Sequence, residues 1–377
     1  MKKQQTLNKI IDTSISIFSK LPYEEVALSQ ICVEAEISNG TIYNYFKSKE
    51  IIFKYLLEET CIRLEKAFSE IQGNSVKERL EHFIEINLYM AKKEFDLIKI
   101  YREGQYKFIE YEQKLRKIYI NSIEKVYKKP INGIQYLYIM SGIRFINVAY
   151  TKANLKPNIQ FLSKIILNGI FNNQSFDFEK LQDQPLYTII PFNPNNKKAQ
   201  LLYYGEKLFG EQGYNNVKII DITRHSNIAI GTFYNYFEKK EQFLEEITMQ
   251  LSNSFLFFLD FNSKYSINLL EKHINYLFLI ITFFEDSPHR YQVIREAEFI
   301  SNHISKEYFN SVESLYLKSF DNTTYTDEEK KLLSNFLIGI SHYLGIELFF
   351  TKNIPDKFKV LEQLTHYLIN GIKYTDI

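Results

Sequence analysis

The feature that most constrains this chain is that it repeats itself. Thr41-Ile42-Tyr43-Asn44-Tyr45-Phe46 returns as Thr232-Phe233-Tyr234-Asn235-Tyr236-Phe237, and the same ungapped register pairs Phe18 with Phe209, Tyr23 with Tyr214, Val26 with Val217, Ile31 with Ile222 and Ile37 with Ile228. Gly40, Lys49 and Glu50 likewise meet Gly231, Lys240 and Glu241. Weaker echoes follow: Tyr101-Arg102-Glu103 with Ile294-Arg295-Glu296, Thr151-Lys152 with Thr351-Lys352, and Asn168-Gly169-Ile170 with Asn370-Gly371-Ile372. The register widens along the chain, as it does when matching helices are joined by loops of unequal length. A whole folding unit is duplicated, so 377 residues divide naturally into two similar halves.

Each half reads as helix. Only 13 Gly and 8 Pro occur, too few turn-formers for an all-β sandwich or a Gly-rich nucleotide fold. Leu7, Ile11, Ile15 and Phe18 mark one face of an opening helix that Pro22 ends. A second helix is expected around Leu28 to Glu34. After a turn at Ala35-Glu36, Ser38 caps a third. This is a helix-turn-helix whose last helix turns Ile42 and Phe46 inward and presents Asn39, Thr41, Asn44 and Tyr45 outward. Such side chains reach base edges and phosphates. Gly40 lets the backbone approach a second surface closely, and Lys49 is placed to neutralise a phosphate.

At Ile31 to Glu50, and again at Ile222 to Glu241, the sequence resembles the DNA-binding signature of TetR/AcrR transcriptional regulators. About 130 helical residues follow each block, the length of that family's ligand-binding and dimerisation domain. The resemblance implies an all-α fold of two tandem TetR-like units, each an N-terminal three-helix helix-turn-helix domain followed by a helical effector and dimerisation domain. The expected boundaries are 1–52 and 53–174 for the first unit, 175–198 for a linker bearing Pro185, Pro191 and Pro194, and 199–243 and 244–377 for the second. Extended, the linker could reach about 70 to 80 Å at roughly 3.3 Å per residue. By position, the family's DNA contacts fall on Ser38, Asn39, Gly40, Thr41, Tyr43, Asn44, Tyr45 and Lys49, and on Lys218, Ile230, Gly231, Thr232, Tyr234, Asn235, Tyr236 and Lys240. Where the family has a small hydroxyl capping the second helix, this chain has Ala27 and Lys218. Where the family has a turn glycine, it has Glu36 and Asn227. Ile230 in place of Asn39 offers a base only apolar contact, such as a thymine methyl, so either the two halves prefer different half-sites of an asymmetric operator or the second copy has drifted towards a structural role.

The expected partners are double-stranded operator DNA and an unknown small-molecule effector, with Arg102, Glu103, Arg295, Glu296 and Glu298 as candidate effector contacts against the plainer reading of ion pairs between helices. Net charge is only +1, so any DNA-binding charge must be local. Cys32 and Cys61 form no framework, the seven histidines lack metal-ligand spacing, and no cofactor or metal is expected. No nucleophile–base motif or phosphate loop marks an enzyme. Neither a signal sequence nor a membrane span is read, so a cytoplasmic protein is expected. Family members are typically homodimers joined by a four-helix bundle. The corresponding helices here are 135–151 with 158–171 and 327–351 with 356–372, so the two halves are expected to pair inside one chain as a pseudo-dimer with reading heads about 34 Å apart. An ordinary homodimer with four heads, and a ligand sensor or interaction module with degenerate DNA binding, are the alternatives.

Overall fold

A computed structural model describes residues 2–182, 186, 196–285, 287–354 and 356–373. Half of the expected linker, with its three prolines, lies outside the described residues. Among those described there is no strand.

The first half runs α1 (Lys2–Phe18), α2 (Leu28–Glu34), α3 (Asn39–Tyr43), α4 (Lys49–Ser69), α5 (Val76–Lys93), α6 (Phe95–Lys107), α7 (Ile109–Tyr127), α8 (Gly133–Lys152) and α9 (Ile159–Asn168). A single turn, α10 (Glu179–Gln182), precedes the second half. That half runs α11 (Lys197–Gln212), α12 (Ile219–His225), α13 (Ile230–Tyr234), α14 (Lys240–Ser263), α15 (Leu269–Glu285), α16 (Pro288–Ile300), α17 (Asn302–Ser319), α18 (Asp327–Gly345) and α19 (Lys357–Asn370). Short 3-10 turns at Tyr23–Glu25 and Tyr214–Asn216 join the first two helices of each half. The helix starts follow local chemistry: Ser48, Ser75, Asn132, Asn196, Thr326 and Asp356 each cap a helix by accepting backbone N–H bonds. The expected helix 327–351 ends differently, because Ile346–Phe350 is wound as a π-helix after α18.

The chain forms two compact units. Among the described residues, one comprises 2–136 and 147–163, and the other 137–146 and those from 164 to 373. In the first unit, the apolar face of α4 (Ile52, Phe53, Leu56, Leu57, Leu64) is fully or almost fully buried at the centre. The second unit contains the whole second half and also the middle of α8 and the end of α9 from the first. Tyr138 packs edge-on to Phe336 of α18 and its hydroxyl donates to the Ile165 carbonyl at 2.9 Å. The backbone approaches are close: a Cβ added to Gly142 would fall 2.1 Å from the Phe336 ring, and one on Gly339 would fall 2.4 Å from the Ser141 carbonyl oxygen.

The ends of α9 and α19 cross reciprocally. Ile170 N–H donates to Leu368 O at 2.7 Å, and Ile372 N–H donates to Ile166 O at 2.9 Å. Gly169 (φ +84°) lies against the Ile369 carbonyl, and Gly371 (φ +69°) against that of Leu167. Each member of the repeated Asn-Gly-Ile thus meets the other's helix end. Residues 327–350 are long and apolar enough to cross a membrane, yet 83% of that apolar window is buried inside the protein, as in the core helix of a bundle.

Candidate nucleic-acid interface

Three short elements in each half set the candidate reading surface. In the first half, α3 is anchored by Ile42 and Phe46, both buried, and in the second, α13 by Phe233 and Phe237. Phe237 meets the ring of Phe243 on α14 at 4.8 Å. Ser38 Oγ accepts the Thr41 N–H at 3.1 Å and closes the first turn of α3, while Ala229 supplies no such bond to α13. The turn before each reading helix needs a left-handed residue, met by Glu36 (φ +48°) and Asn227 (φ +53°). Asn suits that conformation because its short amide bonds locally. Glu36 instead pairs with Lys9 at 2.7 Å, which holds its carboxyl below the usual range.

Asn39, Gly40, Tyr43 and Asn44 are exposed on α3 and its end, and Ile230, Gly231, Tyr234, Asn235 and Tyr236 on α13, with Thr41 and Thr232 half-buried. The two glycines have no internal reason to be glycine. A Cβ at Gly40 would meet only Ser38 Oγ, at 3.8 Å, and one at Gly231 would meet nothing within 4 Å. Neither has a positive φ. Ile230 is 44% exposed, an apolar side chain offered to solvent at the start of α13.

Besides Ser38, which caps its own helix, Tyr45, Lys49 and Lys240 among the expected contact residues have other partners. Tyr45 is half-buried and donates its hydroxyl to the Lys3 carbonyl at 3.0 Å. The Lys49 ammonium donates to the carbonyls of Tyr23, Glu24 and Val26 at 2.8, 3.2 and 2.9 Å, so its three protons serve the 3-10 turn. Lys240 repeats this on the Tyr214 carbonyl, with its ammonium 4.0 Å from the Tyr214 ring centre, and burial pulls its pKa below the lysine norm. Both ammonium groups therefore donate to the protein's own backbone carbonyls. The signal was present in the duplication, which keeps a Tyr and a Lys at matched distances in both halves. Ala27 gives α2 no side-chain cap. At α12 the Asp221 carboxylate accepts the Lys218 N–H at 2.9 Å and leaves the Lys218 side chain exposed.

The five candidate effector contacts separate. Glu103 on α6 accepts the Tyr23 N–H at 2.8 Å, and Glu296 on α16 accepts the Tyr214 N–H at 2.6 Å, so both face the helix-turn-helix. Burial pushes the Glu103 carboxyl up to about 7 against the opposing pull of that bond and of Lys107. Arg102 is half-buried on α6. Arg295 and Glu298 form a buried pair at 2.7 Å, and Arg295 also meets His342 at 3.2 Å. With Tyr291, Tyr308 and Phe309 they line a cavity of about 20 Å³, room for one water molecule. Phe145 from α8 packs on Phe309 and His342 at ring distances of 5.7 and 6.1 Å, bringing the first half's bundle helix against the cavity wall. Among the described residues, no three His, Cys, Asp or Glu side chains are grouped to hold a metal.

Residues 10–56 and 201–247 each match the family described as "Bacterial regulatory proteins, tetR family". The chain is 25% identical over 196 residues to the fatty acid metabolism regulator protein of Bacillus subtilis, covering 50% of this chain and 96% of that protein. It is 33% identical over 71 residues to the A-factor receptor protein of Streptomyces griseus, a match that spans 18% of this chain and only 26% of that protein. Among solved structures, that of the transcriptional regulator FadR from Bacillus subtilis in complex with stearoyl-CoA aligns over 46% of this chain and 98% of its own, with 18% identity and a TM-score of 0.39.

Proposed function

We propose that this chain, which carries two TetR-family DNA-binding domains in tandem, is a ligand-responsive repressor whose two reading heads work as an intrachain pseudo-dimer. DNA reading rests above all on Gly40 and Gly231. A helix gains stability from a side chain at such positions, and nothing inside the protein forbids one, so the vacancy suits an external surface that comes close. Asn39, Thr41, Tyr43 and Asn44 meet bases and phosphates from the first head, and Ile230, Thr232, Tyr234, Asn235 and Tyr236 from the second, with Lys218 on a phosphate. Lys49, Lys240 and Tyr45 hold the heads in shape.

Pairing of the halves is supported by the reciprocal bonds of Ile170 with Leu368 and Ile372 with Ile166. With that surface occupied by the chain itself, the expected solution mass is that of one chain, 44.9 kDa. A small molecule entering the region of Arg295, Glu298 and His342 would act beside the bundle helix that carries Phe145, and would shift the population of head arrangements that fit DNA.

The exposed Glu34 and Glu36 on the first head, together with the engaged Lys49 and Lys240, favour a second reading: a sensor that has lost DNA affinity. Selection of duplexes from a random pool with the purified protein at moderate salt separates the two. Enrichment of two unlike half-sites supports the repressor, and no enrichment leaves the sensor. The selected duplex then serves to screen ligands, and an affinity indifferent to every ligand pool would remove induction.

A further inference from the structure

Each head is fastened to its own effector domain by the corresponding helix, α6 or α16, but by different physical means. On α6, Lys99, Glu103 and Lys107 are spaced four residues apart and share one face. All three close on the segment between α1 and α2: the Lys99 ammonium donates to the Ser19 carbonyl, Glu103 accepts the Tyr23 N–H at 2.8 Å, and Lys107 pairs with Glu24. Lys107 also lies 4.7 Å from the Tyr23 ring centre.

In the second half only the middle contact is kept. Glu296 accepts the Tyr214 N–H, steadied by the Gln292 amide at 2.8 Å, and the places of Lys99 and Lys107 hold Gln292 and Ile300. In place of the outer contacts, α11 and α16 touch backbone to side of backbone. A Cβ on Gly210 would fall 2.2 Å from the His289 carbonyl oxygen. Glu206 beside it takes Arg290 at 2.8 Å and His289 at 3.5 Å; burial alone would raise its carboxyl pKa, and these two partners hold it below the usual range. The residue aligned with Gly210 is Ser19, whose carbonyl Lys99 reaches. Glycine lets two helices meet directly. Where serine stands, a four-carbon lysine arm makes the connection.

We propose that Lys99, Glu103 and Lys107 are positioning residues that hold the first head in an adjustable polar clasp, while the second head is seated by the close Gly210–His289 approach with the Glu206 ion pairs beside it, so that the first head's aim is the one set by movement of its effector domain. The contacts of the exposed Lys99 and Lys107 can lengthen, exchange with water and weaken in salt, whereas a close-packed helix contact is either formed or lost. This rests on the reading of both helix-turn-helix units as DNA-binding.

The test uses the full chain and the selected duplex, with hydroxyl-radical protection scored separately at the two half-sites. Amide exchange of 19–26 and 210–217 is followed in the DNA-free protein. Lys99→Ala/Lys107→Ala and Glu103→Ala are expected to weaken protection at one half-site about tenfold, leave the other within twofold, and speed exchange only in 19–26. Glu103→Gln should restore protection at that half-site, because its amide oxygen still accepts the Tyr23 N–H. Glu296→Ala should change its half-site less than threefold, since the Gly210 contact persists. Equal losses at both half-sites, no loss at either, or a Glu103→Gln variant as impaired as Glu103→Ala would overturn the proposal. If the wild-type chain protects no half-site, DNA reading fails. The clasp then stands or falls on whether the variants speed exchange in 19–26 alone.

Discussion

Replacing Gly40 or Gly231 with Ala should move stability and DNA affinity in opposite directions. In the free protein each new methyl enters open space, with Ser38 Oγ the nearest neighbour at 3.8 Å for Gly40 and none within 4 Å for Gly231. Neither position demands glycine's conformational range, so Ala should recover much of the helix-propensity difference, about 0.5 to 1 kcal/mol at each site. For a unit of this size that is a rise in Tm of about 1 to 4 °C. On DNA the same methyl would intrude into a close backbone approach. If it costs about 1 to 3 kcal/mol, as overpacking does in a filled interface, affinity falls roughly 5- to 150-fold at 1.4 kcal/mol per tenfold. Thermal unfolding without DNA and titration of a labelled selected duplex, on both single variants and the double, measure the two effects. A variant that is more stable and binds as tightly as wild type would refute the argument that the vacancy serves DNA. A variant that loses stability would refute the geometric premise.

Glu103 should make the first unit sensitive to pH near neutrality. Its carboxyl is raised from 4.5 to about 7 by burial, with Lys107, Lys99 and Glu24 around it, so between those values the folded state holds a proton that the unfolded chain has released. The stability it contributes is therefore full below about pH 4.5 and lost as pH climbs through 7, by at most about 3 kcal/mol. Urea unfolding should show wild type losing stability from pH 6 to pH 8 and Glu103→Gln losing less; identical losses would exclude this origin. At the crossing of α9 and α19, Gly169→Ala and Gly371→Ala each combine a positive φ with a Cβ only 2.3 or 2.2 Å from the facing backbone, and should cost about 2 to 5 kcal/mol. Denaturant midpoints check this, and a neutral result would remove the close reciprocal contact. Glu298→Ala takes the carboxylate from a buried guanidinium and should cost about 3 to 5 kcal/mol, while Arg295→Met/Glu298→Leu together should cost far less. Equal losses in the single and double variants would mean that packing, not charge, dominates there.

The duplication, the helical class and the anchoring of the reading helices were legible in the sequence because they depend on local pattern. Buried Ile42 and Phe46, the Ser38 cap and the exposed Asn39 and Asn44 follow from helical spacing and from side chains that bond within one turn. The repeated Asn-Gly-Ile could be seen but not understood, since its glycines are required by a chain segment about 200 positions away in sequence. Shorter but still non-local separations hid the partners of Lys49, which lie 23 to 26 positions away, and those of Glu103 and Glu296, which lie 80 and 82 away. A lysine beside a reading helix looks like a phosphate contact until the carbonyls of Tyr23, Glu24 and Val26 are placed around its ammonium. An adjacent Arg-Glu pair on a helix looks like one polar unit until folding sends Glu103 and Glu296 to the Tyr23 and Tyr214 amides and Arg295 to Glu298 and His342. Periodicity and capping act over a few residues and are written in the chain. Which carbonyl an ammonium meets, and where two backbones come close enough to need glycine, depends on helices far apart in sequence, and only the packed structure brings them together.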